Sequence, residues 1–68
     1  MKTTEDIIRI VSVGGGVIVD SSKTTSDLIR IASVAGERRI IIRNAGTKTT
    51  EDLIRIASVA KNVLFDLS

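Results

Sequence analysis

The chain has no cysteine and no histidine among its 68 residues. The first absence removes disulfides and thiolate zinc sites. The second removes imidazole ligands and every Ser-His or Cys-His nucleophile pair. Tryptophan and tyrosine are also missing, and Phe65 is the single aromatic side chain. The stacking platforms on which proteins lay single-stranded nucleic acid are therefore lacking. Neither sign of charge dominates: ten basic and eight acidic residues leave a net +2, with the signs interspersed. That balance predicts a mixed surface rather than the basic field of a nucleic-acid binder. No run approaches the length of apolar residues that spans a bilayer. Met1 leads straight into a charged helical segment rather than a signal peptide, so the expected location is the cytoplasm. A chain this short makes one domain with a small core. With disulfide and zinc staples excluded, self-association is the remaining common way to bury more apolar surface.

What the chain does have is repetition. Lys2 to Val13 reads KTTEDIIRIVSV, Lys23 to Val34 reads KTTSDLIRIASV, and Lys48 to Val59 reads KTTEDLIRIASV; nine of the twelve positions are identical in all three. Each copy is followed by a short β-branched or apolar run: Val17-Ile-Val19, Ile40-Ile-Ile42 and Val63-Leu-Phe65. Copies separated by 21 and then 25 residues are the mark of a stacked array. The expected organisation is a single domain over 1–68 made of repeats 2–22, 23–47 and 48–68.

Each copy predicts a helix, the first over Thr3–Val13. Thr3, Thr24 and Thr49 stand as N-caps with Asp6, Asp27 and Asp52 three positions on, an Asp version of the capping box. Glu5 with Arg9, and Glu51 with Arg55, are expected to pair at i,i+4; Ser26 removes that pair from repeat two. Leu28, Ile31, Ala32 and Ala35 form one apolar face, repeated by Leu53, Ile56, Ala57 and Ala60 and by Ile7, Ile10 and Val11. The small Ala32 and Ala57 are expected to let their helices lie close to a sheet. Gly14-Gly-Gly16, Gly36 and Asn62 are expected to end the helices in left-handed conformations.

The apolar runs are continuous rather than alternating, as in a parallel sheet. Short right-handed crossovers then give the order α1-β1-α2-β2-α3-β3: an α/β fold with three parallel strands in sequence order and the helices on one face, an open solenoid fragment. Aligning the strands puts Val17, Val19, Ile40, Ile42, Val63 and Phe65 under the helices. The other face carries Ile18, Ile41 and Leu64 in one row and Asp20, Arg43 and Asp66 in the next. The charged row is expected to form a cross-strand ladder, with Arg43 between two carboxylates. The apolar row has no cover within the chain, so these six residues are the candidate interface.

Readings that assign chemistry are weaker. Ser22-Lys-Thr-Thr25 and Gly46-Thr-Lys-Thr-Thr50 sit between a strand and a helix, where a phosphate loop sits. The pattern G-x-x-x-x-G-K-[ST] is nevertheless unmet, and three copies of the phrase read as a repeated cap. Arg9, Arg30 and Arg55, with Arg38 and Arg39, read as a solvated face. Asp20 and Asp66, at the carboxyl ends of parallel strands, lie where α/β enzymes place functional groups, yet Arg43 between them makes a neutralised ladder the simpler reading. No enzyme activity, cofactor, metal or small-molecule substrate is expected.

Two resemblances bear on the fold. One strand and one helix per 21 to 25 residues resembles bacterial α/β solenoids of the leucine-rich-repeat type. The strict L-x-x-L-x-L pattern and its Asn ladder are absent, so that resemblance carries no binding residues. The segment VIVDSSKTTSDLIRIASVAGERRIIIRNAG is similar to STAS domains of anti-sigma-factor antagonists, where a strand ends in Asp-Ser-Ser before a helix. That resemblance implies a regulatory phosphoswitch, with Ser21 or Ser22 accepting phosphate. The reading taken from the residues is a non-enzymatic α/β repeat module acting in self-association or as a scaffold. Its expected partner is a further copy of itself, reached through the sheet face or the strand edges, and neither nucleic acid nor membrane. A chain that starts near a repeat boundary and ends on a strand fits a trimmed or designed array as well as a natural small protein.

Overall fold

Each Lys-Thr-Thr phrase starts a helix at its first threonine. The Oγ1 atoms of Thr3, Thr24 and Thr49 accept from the backbone N–H groups of Asp6, Asp27 and Asp52 at 3.2, 3.1 and 3.2 Å. In a computed structural model that describes residues 2–67, the helices are α1 (Thr4–Ser12), α2 (Thr25–Ala35) and α3 (Thr50–Ala57). The strands are β1 (Val17–Asp20), β2 (Ile40–Arg43) and β3 (Val63–Phe65). Helices of 9, 11 and 8 residues are too short to persist alone in water, so packing must hold them.

The sheet is parallel in the order β1-β2-β3. Its register sets Val17, Ile40 and Val63 in one row across the three strands, and Val19, Ile42 and Phe65 in another. Val19, Ile40 and Ile42 are buried beneath the helix layer, and Val17, Val63 and Phe65 are packed against that core from the edges. From the helices come Ile7, Val11, Leu28, Ile31, Ala32, Ala35 and Ile56. Burying one such Ile or Leu fully stabilises the fold by about 1.5–3 kcal/mol. The fold class and the inward face of every strand are those the sequence predicts.

After α1 and α2 the expected glycines Gly14 and Gly36 do take positive φ, and the end of α3 differs from expectation. Gly36 ends α2 at φ 60°, but α3 ends earlier, with Ser58 as a right-handed cap. Asn62 is not left-handed; among the described residues Asn44, with φ 58°, is the non-glycine position that is. Asn62 acts through its side chain instead. Its amide donates to the Glu37 carbonyl at 2.7 Å and ties the start of β3 to the turn after α2. Asn44 takes the left-handed turn because the chain leaving β2 must reverse into a 3₁₀ turn at Ala45–Thr47. That turn is buried at Ala45, whose N–H donates to Asp66 O at 2.8 Å, while Asp66 N–H donates to Ile42 O at 2.9 Å.

The apolar faces of the three helices are not equally covered. In α2 all four expected core positions are buried. In α3 Ile56 is buried, Leu53 only half-buried, and Ala57 exposed rather than held against the sheet. Ala57 has the same side chain as Ala32 but no further helix beside it.

Candidate interaction surface

The sheet has helices on one side only. On the other, the register aligns Ile18, Ile41 and Leu64 in a single row. Ile18 is 62% exposed, Leu64 51% exposed, and Ile41 half-buried between them. Asp20 stands opposite Arg43 in the next row, and Asp66 follows the last residue of β3.

On the Asp20 side, the charged row does not form the expected ladder. The Asp20 carboxylate accepts from the Ser22 backbone N–H at 2.8 Å and from Asn44 Nδ2 at 3.0 Å. Among the described residues, no ion pair within 4.0 Å joins Arg43 to Asp20. The Ser22 N–H, then the Asn44 amide, holds the Asp20 carboxyl below its ordinary range, and Arg43 adds the smallest share through its field. A carboxylate at a strand end meets nearby turn donors more readily than the head of a long, exposed arginine.

Of the two candidate phosphate acceptors, Ser21 is 5% exposed and Ser22 is exposed. The Ser21 hydroxyl donates to Asn44 O at 2.6 Å and lies 3.1 Å from Thr47 Oγ1. It therefore closes the loop after β2 onto the loop after β1. Ser22 is the exposed one of the two, and its side chain also helps to hold the Asp20 carboxylate.

The acid expected to pair within α1 bonds to the next repeat instead. Glu5 does not pair with Arg9; its Oε1 lies 2.7 Å from Arg30 of the next helix, which also approaches Asp27 at 3.8 Å. Arg9 and Arg55 instead face Asp6 and Asp52 at i,i+3, at 4.0 and 3.6 Å. Stacked helices bring the Glu of one copy beside the Arg of the next, and the N3 aspartate takes the place within the helix. Thr4 Oγ1 adds a bond to Asp27 Oδ2 at 3.3 Å. The Lys23 ammonium donates to Lys2 O at 3.4 Å, and that of Lys48 to Lys23 O at 3.0 Å. The lysines of the Lys-Thr-Thr phrase thus staple each repeat to the one before it. Sequence reading missed this ladder, although an identical lysine at the head of every copy was its signal.

At the open edge of β1 runs an apolar groove of about 300 Å³, walled by Ile7, Ile10, Val17 and Val19 with Lys2 and Lys23 at its rim. Among the described residues no cluster of three His, Cys, Asp or Glu side chains is placed to hold a metal ion. No described helix is long and apolar enough to cross a membrane. Comparison with protein-family models, with curated proteins and with solved structures finds no match.

Proposed function

We propose that this chain is a non-enzymatic repeat module whose work is self-association, building a scaffold from copies of itself. The observation that carries the reading is the uncovered apolar surface on a chain with so small a core. The Ile18, Ile41 and Leu64 row, the groove at β1 and the outer side of α3 all leave large aliphatic side chains in water. Removing such surface from water stabilises by about 25 cal/mol per Å², and association is the way open to a chain without disulfide or zinc staples.

The polar groups that look chemical on sequence are engaged in structure. Lys23 and Lys48 bond backbone carbonyls, Asp20 caps a turn, and Ser21 bridges two loops. These contacts favour architecture over turnover. Solution mass by light scattering, over about a hundredfold range of concentration, tests the reading. A mass above the 7.3 kDa monomer that rises with concentration supports it. A folded monomer throughout overturns it.

A further inference from the structure

We infer that the two ends of the repeat stack are complementary halves of one interface, and that a second copy of this chain docks on them head to tail. The β3 edge of one copy then lies beside the β1 edge of the next. This rests on the self-association reading and names its surface.

The three repeats act as an internal control, because one side chain is seen in three settings. Ile31 and Ile56 each have a preceding repeat beside them and are fully buried; Ile10, the same position in repeat one, is 41% exposed. On the opposite side, Val11 and Ala32 have a following repeat and are fully buried, whereas Ala57 is exposed. Ile8 and Ile29 pack against the core, and their counterpart Ile54 is 57% exposed. The surface around Ile10 and the surface around Ile54 are therefore the two halves of a contact that the chain already makes twice within itself.

The polar groups repeat the match. Glu51 occupies the position of Glu5, and Arg9 that of Arg30, so the 2.7 Å pair joining repeats one and two has its counterparts waiting on opposite ends. Lys2 occupies the position of Lys23 and Lys48, and the Lys48 carbonyl that of the carbonyls they bond. The strand edges agree: β1 and β3 are the open edges of a parallel sheet, and Val63-Leu-Phe65 carries none of the charges or prolines that blunt an edge. Twofold pairing of like ends would set Arg9 against Arg9, or Glu51 against Glu51. Translation by one further repeat sets opposite charges together and returns every apolar position to its buried setting. Such a heterologous contact leaves each new end free, so it propagates.

The test uses two variants at exposed positions, Ile10→Lys at the head and Ile54→Lys at the tail, each checked for its fold by circular dichroism. Each variant alone has one blocked end and stays monomeric where the unmodified chain associates. Mixed in equal amounts, they form a single 1:1 pair of twice the monomer mass and nothing larger, because the intact tail of one meets the intact head of the other. If the unmodified chain associates but both variants associate as it does, and Ile41→Lys disperses it, the sheet face is the interface and the head-to-tail contact is wrong. If the unmodified chain is monomeric at every concentration, self-association itself fails.

Discussion

The ammonium of Lys48 lies 3.0 Å from the carbonyl oxygen of Lys23, in the repeat before its own. Lys23 repeats the bond to Lys2 at 3.4 Å, so one residue type links all three copies along the start of the helices. A bond that bridges repeats stabilises the stack rather than a single helix. Lys48→Met keeps the aliphatic stem and removes the donor, and it is expected to cost about 1 kcal/mol in urea unfolding. Lys2→Met is the control at concentrations where the chain is monomeric: among the described residues the Lys2 ammonium bonds no carbonyl of another repeat, and the midpoint is expected to change little.

Gly46 marks a second junction. A Cβ built there would lie 2.8 Å from the backbone oxygen of Leu67, and backbone cannot step aside as a flexible side chain can. Gly46→Ala is therefore expected to push the segment after β3 off the 3₁₀ turn and weaken the Ala45 to Asp66 hydrogen bond. Overpacking of this kind costs about 1–3 kcal/mol. Amide exchange at Ala45 measures it: protection there should fall further than in the centre of α2.

The periodic features were legible in the sequence and the junctions were not. Helix starts followed from Thr three positions ahead of Asp, and the strand faces from alignment of three short runs. Both are local or periodic, and repetition fixes them three times over. The Glu5 to Arg30 pair, the lysine ladder and the Ser21 to Asn44 bond join residues 21 to 25 positions apart, across the stack. An i,i+4 pair can be read from one helix; a pair between helices needs their spacing and rotation. Asn44 shows the same limit. Its left-handed backbone answers the 3₁₀ turn that follows, which four additional residues in repeat two concealed. The uncovered row of Ile18, Ile41 and Leu64 was legible because strand register and a single helix layer suffice to expose it.

Asp20 gives a dependence on pH whose sign is fixed. The Ser22 N–H, then the Asn44 amide, depresses its pKa below the ordinary 3.8. A carboxyl that is more acidic folded than unfolded adds stability above its unfolded pKa and loses it as pH falls through the folded value. Thermal midpoints for the unmodified chain and for Asp20→Asn should differ most near neutrality. They should converge in acid below pH 3.8. Parallel curves down to the acid limit would mean that the charge on Asp20 contributes nothing.

Ser26 breaks a pattern that the other two copies keep. Its counterpart Glu5 reaches forward to Arg30 at 2.7 Å, and Ser26, at the same position of repeat two, has no carboxylate to offer the next arginine, Arg55. Its cost is thus a missing tie between repeats two and three, not only a missing pair within α2. Ser26→Glu is expected to raise the thermal midpoint by roughly 1–4 °C at low salt, the scale of an exposed ion pair in a small domain. The gain should shrink as salt is added, because both groups lie at the surface. Repeating the substitution in an Arg55→Gln background separates two routes to the same gain. If the rise disappears there, the new carboxylate bridges the repeats. If it persists, the carboxylate has paired with Arg30 one turn along its own helix, and the stack is no more tightly joined than before.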